Sequence, residues 1–150
     1  MRKFHFSLEA VGRVRKNKEQ DALRSLATAQ RALQIEKERK EGLVSLLHES
    51  FERREKFGMI AMQPMVVQIE ESFITGTKQK ILHTEQAIAR ASRAVEKAMA
   101  HYLACRQQRM MMDKLREKDL EKFKEALRKK EIKEADDMNI MRARMEKGVA

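Results

Sequence analysis

The sequence predicts an all-α fold: a long antiparallel two-helix coiled-coil hairpin with a short helix or kink at its tip. Three observations carry the prediction. Apolar and small residues recur at alternating spacings of four and three along much of the chain. One proline and five glycines in 150 residues are too few for the many turns of an ordinary globular domain. Three of those breakers, Gly58, Pro64 and Gly76, fall in one short stretch, which leaves a single place for the chain to reverse. Residues 1–150 read as one coiled-coil domain, with arm one at about 7–57, the tip at about 58–76, arm two at about 77–141 and a frayed end at 142–150.

Arm one opens at Ser7, placed to cap the helix, with Phe6 before it and Val11 after it spaced as a hydrophobic staple. Its seam runs through Ala22, Leu26, Ala29 and Leu33, then Leu43 and Leu47. Between them the same register meets Glu36 and Lys40, which interrupt it. Gly12 and Gly42 lie inside the helix, and each weakens it by about 1 kcal/mol relative to alanine without ending it.

The tip holds only two charges, Glu70 and Glu71. Pro64 breaks a helix interior but suits a first turn, so a short helix should begin near Pro64 and break near Gly76. Met59, Met62 and Met65 join Ile60, Val66, Val67, Ile69, Phe73 and Ile74 there. That is more apolar surface than a two-helix interior hides, so the tip is a partner-binding candidate as well as a place for local packing.

Arm two carries Ile74, Ile81, Ile88, Val95 and Tyr102 at intervals of seven, with Met99 at the partner spacing. After Met110, Met111, Met112 and Asp113, a stripe of Leu120, Phe123 and Leu127 resumes in another register, a phase change that alters supercoiling locally. At 1.5 Å per residue the arms would be roughly 75 Å and 95 Å long, so the second projects past the first or frays.

Composition narrows the function. Lys and Arg number 33 against 23 Asp and Glu, a net charge of +10, and 37% of residues are charged. A single cysteine builds no internal disulfide scaffold. No apolar run approaches the roughly 18 residues of a membrane span. The first eight residues meet charge again at Glu9, unlike a signal peptide. These features predict a soluble, cytoplasmic, nearly all-helical protein.

The search for chemistry is mostly negative. His5, His48, His83 and His101 are scattered, and no thiolate or carboxylate cluster offers a metal its ligands. Cys105 beside Arg106 has some thiolate character to gain, but a small residue in a helix is the plainer reading. The stretch Gly76-Thr77-Lys78 inverts the end of a phosphate-binding loop and has Glu71 where a glycine belongs. Neighbouring acids such as Glu70-Glu71 and Asp136-Asp137 point about 100° apart on a helix, so they form no dyads. The expectation is a non-enzyme with no cofactor and no metal.

Charge is uneven along the chain. Residues 1–75 hold 14 basic and 11 acidic side chains; residues 76–150 hold 19 and 12. In residues 1–18, Arg2, Lys3, Arg13, Arg15, Lys16 and Lys18 face only Glu9. In the antiparallel hairpin this basic start should lie near Arg142, Arg144 and Lys147, which makes the open end a positive tip. A generic basic coiled coil that binds nucleic acid or self-assembles is the competing reading. No groove-reading motif or set of stacking aromatics supports it, and no nucleic acid partner is expected.

The start Lys3-Phe4-His5-Phe6-Ser7-Leu8-Glu9-Ala10-Val11, with a basic helix behind it, resembles the FliJ family of flagellar type III export proteins. So does the later run Lys133-Glu134-Ala135-Asp136-Asp137-Met138 followed by Arg142. The resemblance spans essentially the whole chain, and the Phe-x-Phe-x-Leu-Glu segment is its most specific part. It implies an antiparallel coiled coil similar to the rotor stalk of rotary ATPases. Such a stalk inserts its termini-bearing end into the pore of the hexameric flagellar export ATPase and promotes its assembly and activity. The resemblance also implies contacts with the cytoplasmic domain of the membrane export gate and with export chaperones, in a cytoplasmic protein peripherally associated with the inner-membrane export apparatus. Carried onto this sequence, the ring-facing residues are Phe4, Phe6, Leu8, Val11, Arg13 and Arg15 from arm one, and Asp136, Asp137, Met138 and Arg142 from arm two. The gate-facing candidates are Phe73 and Ile74 in the run Glu71–Ile74, with Phe51 and Phe57 opposite. Gly76 and Thr77 depart from the longer apolar side chains the family pattern implies there.

Overall fold

A computed structural model describes residues 3–57 and 63–148. Among the described residues the protein is all-α, with α1 at Glu9–Phe57 (49 residues) and α2 at Pro64–Gly148 (85 residues). The tip methionines Met59 and Met62, together with Gly58 and Ile60, lie outside the described residues, as does the side chain of Phe57.

Each helix end has a local cause. Ser7 and Leu8 form a turn, and Gly12 N–H donates to Leu8 O at 2.9 Å, so α1 starts two residues after the expected serine cap. Phe6 is buried while Val11 stays 42% exposed, so Val11 is not covered as a closed staple would cover it. Pro64 opens α2 as its first residue, where its missing N–H costs nothing. The helix then runs through Gly76 without a break, and the expected short tip helix is simply its first turns. Ile74 and Thr77, both buried, flank Gly76 and hold the backbone helical against glycine's modest preference for leaving. The expected frayed end is likewise helical as far as Gly148.

The two helices form two compact units: one contains the chain up to Glu19 and from Cys105 onward, the other Gln20–Ala104. In the Gln20–Ala104 unit the helices run antiparallel. Lys40 Nζ lies 2.8 Å from Glu85 Oε1, Arg53 Nε 3.5 Å from Glu70 Oε1, and Arg54 Nη2 3.4 Å from Glu71 Oε1. From Lys40 to the Arg53 and Arg54 pair the α2 partner recedes from Glu85 to Glu70 and Glu71. The covered positions on α1 are Ala22, Leu26, Ala29, Leu33, Glu36, Lys40, Leu43, Leu47 and Ser50, an unbroken alternation of four and three. Glu36 and Lys40 thus stand in the seam, as their spacing predicts.

On α2 the matching positions are Ile74, Ile81, Ile88, Val95 and Tyr102, interleaved with Thr77, Thr84, Ala91 and Ala98. Ala98, and not Met99, takes the partner position; Met99 is 38% exposed. One member of each pair of α2 seam positions is therefore small. Small side chains let backbones approach, and the branched ones fill the remaining space. The buried hydroxyls need nothing from the other helix. Ser50 Oγ donates to Leu46 O (3.1 Å), Thr77 Oγ1 to Phe73 O (2.8 Å) and Thr84 Oγ1 to Lys80 O (2.8 Å).

In the other unit the seam mixes charged and apolar residues. Gly12, Arg15 and Glu19 are its half-buried positions on α1, facing Cys105, Arg109, Met112, Asp119, Leu120 and Phe123 on α2. No phase change occurs. Counting in sevens from Tyr102 reaches Arg109, Arg116 and Phe123, so Phe123 keeps the earlier register and the arginines disguise it. From residue 124 to 148 every residue of α2 is exposed.

Candidate partner-binding surfaces

The unit that holds the chain up to Glu19 contains all the ring-facing candidates and divides them into two sets. The first set lies on the segment leading into α1 and its first turns. Phe6 is 5% exposed, and the ring of Phe4 sits 5.6 Å from that of Phe123 at a 57° tilt. Leu8 and Val11 are 41% and 42% exposed, Arg13 is exposed and Arg15 half-buried. Arg15 Nη1 donates to Gln108 Oε1, so it is engaged with α2.

The second set, Asp136, Asp137, Met138 and Arg142, is exposed on the free stretch of α2. Because Phe4 meets Phe123, the basic start of the chain does not lie beside Arg142, Arg144 and Lys147. Arm two is too long for that. At 1.5 Å per residue, Arg142 stands nearly 30 Å farther along α2 than Phe123. The positive open end becomes two features: a basic base at Arg13–Lys18 and a mixed-charge single helix beyond it. Met138, Met141 and Met145 are 58%, 65% and 72% exposed and share one face of that helix by their spacing.

About four turns behind the aromatic contact, charge replaces apolar packing. Arg109 Nε donates to Glu19 Oε2, and Arg109 Nη1 to Asp113 Oδ2 at 2.5 Å. The hydrogen bond to Glu19 is the main cause that holds the Arg109 guanidinium above its ordinary proton affinity, partial burial opposes it, and Asp113 adds to it. Sequence reasoning missed this bracket, although Arg109 falls seven residues after Tyr102.

The gate-facing candidates lie in the Gln20–Ala104 unit. Phe51 is 42% exposed, with Lys78 Nζ 5.7 Å from its ring centre, a cation–π arrangement. Phe73, also 42% exposed, stands at the same level on α2, as the neighbouring pairs Arg53–Glu70 and Arg54–Glu71 show. Ile74 is different: it is 6% exposed and supports the seam instead of presenting itself. Met65, Val66 and Ile69 are 72%, 43% and 60% exposed, so the first turns of α2 offer an apolar surface.

Among the described residues no three His, Cys, Asp or Glu side chains come together to hold a metal ion, and no helix is long and apolar enough to cross a membrane. A shallow groove of about 720 Å³ beside the seam is lined by Glu36, Arg39, Lys80, His83 and Arg90 among others. Glu36 Oε2 is buried there without a hydrogen-bond partner.

No curated protein and no solved structure matches the chain significantly. The family model described as "Flagellar FliJ protein" matches residues 4–148, nearly the full length. The match takes in the aromatic start at Phe4 and Phe6, both helices and the free end of α2. The chain therefore belongs to the FliJ family and is a component of the flagellar export apparatus.

Proposed function

We propose that this chain is a non-catalytic stalk of the export apparatus, inserted into the pore of the hexameric export ATPase by the unit that contains its first residues. The observation that carries the reading is the family match over 4–148 together with the form of that unit, where α2 continues as a fully exposed single helix beyond Phe123. A single helix fits a narrower channel than a pair. Leu8, Val11 and Arg13 offer a second ring of contacts where the pair begins, and Asp136, Asp137, Met138 and Arg142 lie deeper.

The mechanism follows from symmetry. Neither one helix nor two has a sixfold axis, so the six ring subunits meet different side chains. A ligand that binds two conformations unequally shifts the population between them, so unequal contacts bias the subunits toward different states. The Phe51, Phe73 and Ile69 surface of the other unit is left to meet the export gate, and export chaperones are further partners of the same apparatus.

The test mixes this chain with the cognate export ATPase and measures hydrolysis and hexamer formation. Stimulation of both is expected. If neither changes, the stalk reading is wrong. Arg13→Glu is the cleanest variant, because Arg13 is exposed whereas Arg15 is tied to Gln108. It should weaken stimulation with unchanged helicity.

A further inference from the structure

The segment before α1 is not helical, yet it carries the best-buried aromatic side chain among the described residues. Phe6 is 5% exposed between exposed His5 and Ser7, and Phe4 stacks against Phe123 in a tilted arrangement. The backbone hydrogen bonds that involve this segment are local, Glu9 N–H to Phe6 O at 3.2 Å and Gly12 N–H to Leu8 O at 2.9 Å. Among the described residues none joins it to the backbone of α2. Its ring contact with α2 is that of Phe4 with Phe123, and two residues on Phe6 is buried.

The surface beneath those rings is small. Leu120 and Phe123 are the half-buried apolar residues of α2 at this level, Asp119 is polar, and residues 124–148 are all exposed. The next seam positions behind the rings, Gly12 and Arg15, add no apolar side chain. Segments with few apolar contacts and no backbone ladder open at far lower cost than a helix core.

We propose that residues 3–8 are a releasable strap, whose packing on Phe123 competes with the use of Phe4 and Phe6 by a partner. With the strap closed, that end of the protein shows mostly charge. With the strap open, Phe4 and Phe6 join the already exposed Leu8 and Val11 in one apolar surface suited to an apolar cleft on the partner. Binding then draws on the open fraction, and the apparent affinity is lowered by that fraction. The proposal rests on the stalk reading for the identity of the partner but not for the existence of the strap.

Two truncations separate the strap from an ordinary structural contact. Phe123→Ala and Phe6→Ala both remove the closed packing, but only Phe6→Ala removes a ring the partner would use. In the full chain, Phe123→Ala should tighten binding to the export ATPase hexamer by about three- to tenfold, and Phe6→Ala should weaken it. The rings are followed by ¹⁹F NMR on fluorophenylalanine-labelled protein, where Phe123→Ala should move the Phe6 signal to a solvent-exposed position. Phe123→Leu, which keeps an apolar contact, should lie between wild type and Phe123→Ala, and far-UV circular dichroism checks that α2 remains helical. Equal effects of the two truncations on binding overturn the proposal. So does a Phe6 signal that Phe123→Ala leaves unmoved. If wild type does not bind the hexamer at all, the stalk reading fails, and the ¹⁹F shift alone then decides whether the strap exists.

Discussion

Arg109 donates to Glu19 across the helix pair, joining residues 90 positions apart, and the same guanidinium reaches Asp113 one turn along its own helix. Glu19 is 14% exposed and Arg109 29%, so the bracket is better screened from water than the surface pairs. It occupies seam positions where a leucine would pack more favourably in a simple coiled coil. Polar groups in a seam discriminate against other registers at some cost in stability.

Breaking this bracket should therefore separate stability from register. Arg109→Gln deprives the Glu19 carboxylate of its partner, Glu19→Gln leaves Arg109 with Asp113 alone, and both should lower the melting temperature measured by circular dichroism, the first by more. The swap Glu19→Arg with Arg109→Glu should recover part of the loss. The pH dependence has a definite sign. Arg109 has a raised folded pKa, so its contribution is complete below the unfolded value and fades only as pH rises through the folded one. Melting curves from pH 7 to pH 10 should show no loss attributable to Arg109.

Glu36 is a seam residue with a buried carboxylate oxygen that lacks a partner. Replacing a poorly satisfied buried polar group by an apolar one of similar size removes its desolvation penalty. Glu36→Leu should stabilise the protein by about 1–2 kcal/mol in urea denaturation. A destabilised variant would show that Glu36 has a partner the structure does not reveal.

Leu26 is 5% exposed, and Leu127, on the free part of α2, is 42% exposed. Leu26→Ala should cost about 2–4 kcal/mol, whereas Leu127→Ala should stay within about 0.5 kcal/mol. Comparable losses at both sites would mean that the stretch after Phe123 packs against something in the isolated chain.

At Gly42 a Cβ would meet nothing within 4 Å, and the residue is plain helix. Gly42→Ala should raise stability by about 0.5–1 kcal/mol through helix propensity and a stiffer unfolded chain. A neutral result would point to a requirement for local bending in α1.

The periodic part of the fold was legible because heptad spacing is written in single residues. Ala22, Leu26, Ala29 and Leu33 announce their own face. The small half of the α2 seam was harder to read. Thr77, Thr84 and Ala98 carry no strong hydropathy, so Met99 drew attention one position too late. Arg109 and Arg116 hid the register of Phe123 for the same reason. A charged residue at a seam position looks like a break until its partner on the other helix is known.

The sequence by itself determined that there are two long helices, that a helix opens at Pro64 and most of the faces that pair, since helix period, proline placement and burial of apolar stripes are local rules. Only the tertiary structure decided which residues of the two arms lie side by side. That depends on lengths and register added along both arms, and α2, at 85 residues against 49 for α1, is long enough to change which end meets which. So Phe4 meets Phe123 and not the arginines near the end of α2, Phe6 is covered instead of free, and the candidate ring-binding residues separate into a packed base and a single exposed helix.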